Sequence, residues 1–158
     1  MSIVFSNTTP FIALASIDRL DLMFRCFGNV HVVTEVLDEC AVGGRIKVPN
    51  LRLLDWIIPV DSLPVVHTTV LLELDKGEKH TIDMAKRSAA DWVIIDEKIG
   101  RNLAEYLGLR VTGTLGILLK AKQQSWLDSF VDAVYAMQQC GIRYHPNLVR
   151  KLAKQVGE

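Results

Sequence analysis

The sequence has no excess of charge of either sign, because 18 Lys and Arg residues are balanced by 18 Asp and Glu residues. This balance excludes a protein that binds nucleic acid over its whole surface, since such binding depends on many contacts between basic side chains and phosphates. A local basic rim remains compatible with the composition.

Cysteines and long apolar runs are also scarce. Cys26, Cys40 and Cys140 are far apart and form no CxxC pair, which argues against a disulfide framework and against a structural zinc site. Reduced thiols favour a cytoplasmic location. No apolar run approaches the roughly 20 residues of a membrane-spanning helix, and the opening MSIVFSNTTP does not have the pattern of a secretory signal.

The residues that are present predict an α/β protein. With 158 residues and 49% hydrophobic content, one globular domain is expected. Short apolar runs, typical of strands, alternate with longer periodic runs, typical of helices. This alternation predicts a parallel sheet with helices on both faces. The strands are predicted at 3–5, 30–33, 46–48, 56–60, 92–95 and 109–111.

Capping residues and helical periodicity predict where the helices lie. The first is expected to begin at Pro10, with Thr9 as its N-cap, and Thr34 is expected to cap a helix that extends to residue 40. The Asp75–Glu78 segment has the pattern of a capping box that opens another helix. The remaining helices are predicted at 20–27, 65–73, 97–107, 114–124, 128–140 and 146–156.

Side chains with oxygen donors follow several of the predicted strands. Asn7 follows the first strand, Asp96 and Glu97 follow the strand at 92–95, and Glu78 begins the helix that leads into that strand. In parallel sheets, ligands bind beyond the carboxyl ends of the strands, where the strand order reverses. Because Mg²⁺ and Mn²⁺ prefer oxygen ligands, the sequence predicts a site for one or two such ions at this edge.

Four motifs together resemble the PIN domain, a metal-dependent ribonuclease fold. They are SNTTP at 6–10, GEKHTI at 77–82, IDEKIGR at 95–101 and GTLG at 113–116. More narrowly, they are similar to a prokaryotic PIN-like subfamily whose members carry S-[DN]-T-[ST]-P, GExxxI, IDDxxGR and GTLG. The resemblance extends from Ile3 to about Lys122.

The resemblance implies a three-layer α/β/α fold with a central parallel sheet and an acidic central groove. It implies one PIN-like domain over 1–158, with a core at about 3–124 and a helical extension at about 128–156. A Mg²⁺ or Mn²⁺ cofactor and an RNA substrate are expected. Many PIN proteins are toxins of toxin–antitoxin pairs and many form homodimers, so an antitoxin and a second copy of the chain are the expected protein partners.

The resemblance makes Glu39, Glu78 and Asp96 the candidate carboxylate ligands, and each also has a structural explanation. Asp96 could be the N-cap of the helix after it, and Glu78 could serve only in its capping box. Glu39 could belong to a solvated acidic face. Glu35 shares that helix face at i,i+4, so either of these two acids could point inward, whereas Asp38 is the weaker candidate.

Asn7 departs from the usual PIN pattern, which has an aspartate at this position. The carbonyl oxygen of asparagine can still bind a hard cation, but the side chain brings no negative charge and cannot accept a proton. The structural alternative is that Asn7 serves the turn before the first helix. If it is a ligand, its missing charge weakens metal binding and catalysis.

Supporting roles are expected for several neighbouring residues. The Thr8 hydroxyl could support the metal site, and Glu97 could assist or merely favour the start of its helix. Arg101 could bind a phosphate or form a surface ion pair with Glu97. The segment from Thr112 to Thr114 could present backbone N–H groups to a phosphate or form an ordinary turn. Basic residues that could line the groove are Lys98, Arg101, Lys120 and Lys122 on one side and Arg45 and Lys47 on another.

These observations favour a metal-dependent endoribonuclease acting on single-stranded or looped RNA, whose phosphates can enter a groove. The alternative is a degenerate PIN-like module that binds RNA or a protein partner without cleavage, because Asn7 replaces the aspartate. A nucleotide-binding or phosphatase domain is less well supported, since no GxGxxG, GxxxxGK[ST] or paired DxD motif follows the first strand. The four histidines also lack the spacing of a metal site.

Overall fold

The computed structural model describes residues 2–158. Within them, five parallel strands form one sheet in the order β3-β2-β1-β4-β5. The strands are β1 (Val4–Ser6), β2 (Val30–Val33), β3 (Ile57–Val60), β4 (Trp92–Ile94) and β5 (Val111–Thr112). β1 is central: the chain first adds strands on one side of it and then returns to add β4 and β5 on the other. The strand order therefore reverses between β1 and β4, where a ligand site is expected.

Helices cover the sheet in the predicted three-layer α/β/α arrangement. One short 3₁₀ turn, Leu51–Leu53, precedes β3. The α-helices in the described part of the chain are α1 (Thr8–Ser16), α2 (Asp21–Phe27), α3 (Thr34–Val42), α4 (Lys76–Arg87), α5 (Lys98–Tyr106), α6 (Thr114–Gln123), α7 (Phe130–Gln139) and α8 (Pro146–Gln155). None of them is long and apolar enough to cross a membrane.

The core lies between the sheet and these helices. The strands are nearly continuous apolar runs because helices cover both faces of a parallel sheet. Phe5 of β1 and the large side chains of Phe11 and Phe130 are almost completely buried. Burial of each such side chain contributes roughly 1.5–3 kcal/mol of hydrophobic stabilisation. The core therefore holds the central strands in place and positions the residues that follow them.

Two predicted elements are absent from the described residues. Residues 46–48 form no strand, and the apolar pattern there reflects partial burial of Ile46 and Val48 in a loop that ends at Pro49. Residues 65–73 form turns rather than a helix. The backbone N–H of Val66 donates to the buried carboxylate of Asp83 at 2.9 Å, and this bond ties the segment to α4.

Other boundaries differ by one or two residues. α1 begins at Thr8 with Asn7 as its N-cap, so the predicted start at Pro10 and cap at Thr9 are wrong. Pro10 fits this earlier start because N–H groups of the first turn have no partner within the helix. Thr34 is the first residue of α3 rather than its cap, and β5 begins at Val111 rather than at 109.

The last two helices are secured by local caps. Ser129 caps α7, and the Glu158 carboxylate accepts hydrogen bonds from the backbone N–H groups of Phe130 and Val131 at 2.7 and 3.0 Å. Pro146 occupies the first turn of α8, and the His145 ring accepts a hydrogen bond from a backbone N–H of that turn. Glu158 thus links the residues that follow α8 to the first turn of α7.

Candidate functional site

The site lies where β1 and β4 end side by side. The backbone N–H of Asn7 donates to the carbonyl oxygen of Ile94 at 3.0 Å, which ties the end of β1 to the end of β4. The Asn7 side chain is buried, and its Oδ1 atom has no hydrogen-bond partner. A buried carbonyl oxygen without a partner is costly in a folded protein, so this atom is available to a ligand.

Glu39 is the acid of α3 that contacts the end of β1. Its Oε2 atom accepts a hydrogen bond of 2.6 Å from the hydroxyl of Thr8, the residue after Asn7. Glu35, one turn earlier, instead accepts a hydrogen bond from Ser62 at 2.6 Å. Asp38 is exposed and pairs with Arg52 at 3.4 Å. Of these acids, Glu39 is therefore the one directed to the switch point.

Glu78 is a buried acid in the first turn of α4. Its backbone N–H donates to the carboxylate of Asp75 at 2.9 Å, so the predicted cap is present. Its own side chain is only 3% exposed, and Oε2 has no hydrogen-bond partner. Burial, the neighbouring Asp75 carboxylate, and the charges of Glu97 and Glu39 together raise the pKa of Glu78 to about 8. A cation at this position would offset that repulsion.

A glycine makes room for each of the three acids that the sequence singled out. A Cβ atom at Gly77 would lie 2.5 Å from Oε1 of Glu39, and one at Gly100 would lie 2.5 Å from Oε2 of Glu78. A Cβ atom at Gly113 would lie 2.7 Å from Oδ1 of Asp96. Sequence reasoning missed these contacts, although a glycine in the GEKHTI, IDEKIGR and GTLG motifs was their signal.

Asp96 binds the start of α6. Its Oδ1 accepts from the backbone N–H of Thr114, and its Oδ2 accepts from the Thr114 hydroxyl, both at 2.7 Å. Burial raises the pKa of Asp96, while the bonds to Thr114 and the charge of Arg101 oppose that rise. Asp96 is not the cap of α5, because Glu97 occupies that position without a side-chain bond. The exposed Glu97 contributes to the raised pKa of Glu78.

The supporting residues have more structural roles than the sequence suggested. Arg101 donates from Nη1 to the carbonyl oxygen of Ile95 at 3.0 Å, and it forms no ion pair in the described residues. The Thr114 N–H is taken by Asp96 and is not free for a phosphate. Thr112 packs on α6, since a Cβ atom at Gly116 would lie 2.5 Å from the Thr112 hydroxyl oxygen.

Tyr144 is a site residue that no sequence motif indicated. It lies in the connection between α7 and α8, and its hydroxyl is buried without a well-formed hydrogen bond. Burial raises its pKa, and the nearby negative charge of Asp96 adds to that rise. The C-terminal helices therefore bring a polar group to the Asp96 side of the site.

The side-chain oxygens of the site are of the type that binds a hard cation, and two of them have no hydrogen-bond partner among residues 2–158. Asn7 Oδ1 and Glu78 Oε2 are buried and unpartnered, and Glu39 is held nearby through Thr8. Among residues 2–158, however, no three His, Cys, Asp or Glu side chains converge closely enough to hold a metal ion as they stand. A metal ion bound here would therefore need the Asn7 carbonyl oxygen or water among its ligands, or a move of the exposed Glu39 or Glu97 side chain.

Comparison with known proteins identifies a family. A family model described as a PIN domain matches residues 3–158, which confirms the resemblance seen in the motifs. The search of the curated proteins and the search of the solved structures find no match.

Proposed function

The chain belongs to the PIN-domain family, and we propose that it is a metal-dependent endoribonuclease that hydrolyses phosphodiesters in single-stranded or looped RNA. PIN domains generally use divalent metals. The observation that carries the proposal is the Glu78 carboxylate, which is buried, unpartnered at Oε2, and close to the charges of Asp75, Glu97 and Glu39. Burial of a carboxylate costs several kcal/mol unless a proton neutralises it or a cation compensates its charge, and a divalent cation bound here would supply that compensation.

The proposed ligands of Mg²⁺ or Mn²⁺ are the Asn7 carbonyl oxygen, Glu39 and Glu78. Asp96, the fourth candidate, would join them only if it gave up its bonds to Thr114. Glu97 acts electrostatically on Glu78, because its negative charge contributes to the raised pKa of Glu78. When bound, the ion supplies a Lewis acid for the scissile phosphate and an activated water.

The side chains of this chain would prepare the site in distinct ways. Thr8 orients the Glu39 carboxylate through its hydroxyl, and Asp75 fixes the first turn of α4, from which Glu78 extends. Arg101, anchored on Ile95, keeps a positive charge beside Asp96 for a phosphate. Asn7 lowers the negative charge of the centre by one relative to an aspartate, which reduces its attraction for a divalent cation.

We also propose, from the family, the biological setting of this activity. The chain would be a toxin of a toxin–antitoxin pair in the cytoplasm, acting as a homodimer and neutralised by an antitoxin protein; only its membership of the family supports this setting.

A second candidate function is RNA or protein binding without cleavage. Two observations favour it: Asn7 cannot accept a proton, and both oxygens of Asp96 are already bonded to Thr114. In such a module the remaining carboxylates would not hold an ion tightly enough for hydrolysis.

One experiment separates the two functions. The purified protein is incubated with a mixed RNA pool and Mn²⁺ beside Glu78→Gln, Asn7→Asp and the control Glu105→Gln, which changes an exposed acid of α5. Cleavage by the parent and by Glu105→Gln, but not by Glu78→Gln, supports the nuclease. A gain of activity in Asn7→Asp identifies the carboxamide as the limiting group. RNA binding without cleavage by any variant supports the module, and neither binding nor cleavage contradicts both.

A further inference from the structure

A groove lies beside the candidate site, between α6 and the C-terminal helix α8. Its volume is about 610 Å³. Four leucines form its apolar walls, Leu115 and Leu119 from α6 and Leu148 and Leu152 from α8. Asp96 and Arg101 also line it. This groove, called the α6–α8 groove below, therefore shares Asp96 with the candidate site.

The groove carries positive charge that no ion pair among residues 2–158 neutralises. Lys98, Arg101 and Arg143 line it, and none of these three forms an ion pair with any residue from 2 to 158. The acid that also lines it, Asp96, accepts two hydrogen bonds from Thr114. In a chain with no net charge, three unpaired cations around one apolar groove favour an anionic occupant with an apolar part.

Tyr144 adds an aromatic ring to the apolar walls. Its side chain lines the groove, while its hydroxyl is buried near Asp96 and Thr114 without a well-formed hydrogen bond. Aromatic and apolar side chains are the surfaces on which unstacked RNA bases bind. The groove volume lies in the range of small-molecule sites.

We propose that the α6–α8 groove binds a nucleotide adjacent to the scissile phosphate of the RNA. The base lies against the leucines and Tyr144, and the phosphate pairs with Arg143 and Lys98. This inference rests on the proposed nuclease function, because continuity with the acidic site is what selects an RNA strand over other anions. An acidic peptide is the other occupant of similar chemistry, and the experiment includes it.

The test measures binding without cleavage. A short fluorescein-labelled single-stranded RNA of mixed sequence is titrated with the protein in EDTA, and fluorescence anisotropy gives Kd at several salt concentrations. We expect Arg143→Ala to weaken binding about tenfold and to reduce the slope of log Kd against log salt by about 0.7, the value for one lost phosphate contact on a single strand. Leu148→Ser should weaken binding severalfold without a change of slope, because it removes apolar contact only.

Matched controls separate the groove from general surface effects. Lys151→Ala removes an exposed cation of α8 that does not line the groove, and Leu72→Ser removes an exposed leucine elsewhere. Both should bind RNA as the parent does. Leu148 is 44% exposed, so its replacement leaves the core intact, and circular dichroism checks the fold of every variant.

The outcomes separate this inference from the nuclease proposal. Weaker RNA binding by Arg143→Ala and Leu148→Ser supports the groove even if the parent cleaves no RNA in Mn²⁺. Unchanged binding by both variants overturns it even if the parent is an active nuclease. Absence of RNA binding by the parent, or tighter binding of a polyglutamate peptide that depends on Arg143 and Leu148, also overturns it and in the latter case assigns the groove to an acidic protein partner.

Discussion

The carboxylate of Glu78 occupies the space that a side chain at Gly100 would need, since Oε2 lies 2.5 Å from the position of a Cβ atom there. A side chain at residue 100 would displace the Glu78 carboxylate where the first turns of α4 and α5 meet. Likewise, the carboxylate of Glu39 on α3 occupies the space that a side chain at Gly77 on α4 would need. The positions of these two acids thus depend on two glycines as much as on the acids themselves.

Gly100→Ala should impair function more than folding. The added methyl group displaces the Glu78 carboxylate and approaches Cγ2 of Ile95, which lies 3.3 Å from the Cβ position. Alanine also favours the helix by about 1 kcal/mol relative to glycine, which offsets part of the crowding. We expect a loss of Mn²⁺-dependent RNA cleavage of about 100-fold, the scale of removing one well-placed catalytic interaction, with a small change in Tm.

The control for this substitution is Gly44→Ala, because a Cβ atom there meets nothing within 4 Å. It should retain the cleavage rate and Tm of the parent. Full activity of Gly100→Ala would contradict the role assigned to the contact with Glu78.

Stability in EDTA should fall as the pH rises from 4.5 to about 8. The folded protein raises the pKa of Glu78 from 4.5 to about 8, mainly by burial, so in this window the folded state binds a proton that the unfolded state has released. The contribution of Glu78 is fully present below 4.5 and is lost as the pH passes 8. Its upper limit is about 5 kcal/mol, at about 1.4 kcal/mol for each unit of pKa shift.

Urea unfolding at several pH values checks this dependence. Glu78→Gln cannot ionise, so its free energy of unfolding should fall less over the same pH range and should exceed that of the parent near pH 8. Glu105→Gln serves as the exposed control and should follow the parent. Parallel curves for the parent and Glu78→Gln would show that Glu78 does not titrate in this window.

Thr114→Val should destabilise the fold by about 1–3 kcal/mol. It keeps the shape of the side chain but removes the hydroxyl that donates to Oδ2 of Asp96 at 2.7 Å, and leaves a partly buried carboxylate oxygen without that partner. Thr114→Ser retains the hydroxyl and should recover most of the loss. Urea titrations of the three proteins measure the difference, and a Thr114→Val protein as stable as the parent would contradict the role assigned to the hydroxyl.

Glu158→Ala should destabilise the C-terminal helices by about 1–2 kcal/mol, the range of a helix cap. The substitution removes the acceptor for Ser129 Oγ and for the backbone N–H groups of Phe130 and Val131. Lys122→Ala should cost less, because its contact with Glu158 is 3.8 Å long and surface ion pairs contribute little. Hydrogen exchange of the first turn of α7 provides the measurement, and protection that is unchanged in Glu158→Ala would exclude the cap.

The sequence predicted the sheet well because its strands are short apolar runs between clear turn residues, as at Val30–Val33. The predicted start of the edge strand β5 was two residues too early, because Leu109 is an apolar residue that is buried without being part of the strand. The segment 65–73 was predicted as a helix but forms turns. Its hydrogen bond from the Val66 N–H to Asp83 joins residues 17 positions apart, and local sequence patterns do not reveal such a contact.

The candidate site was predictable in its location but not in its contacts. Asn7 and Asp96 could be placed at one edge because parallel strands end together. That Asp96 is bonded to Thr114 could not be inferred, since the two residues are 18 positions apart. No sequence motif marks Tyr144, whose hydroxyl is buried at the site. It lies in a loop between two helices, and the position of that loop depends on tertiary packing.

The central position of β1 has a consequence for biosynthesis. Asn7, Glu39 and Glu78 leave the ribosome before Asp96, and Asp96 joins them only when β4 hydrogen-bonds to β1. Such pairing of distant segments is a slow step of folding. A nascent chain that ends before β4 therefore lacks Asp96, and two fragments divided in the connection at 61–75, which separates Asn7 and Glu39 from Glu78 and Asp96, should regain activity only when mixed.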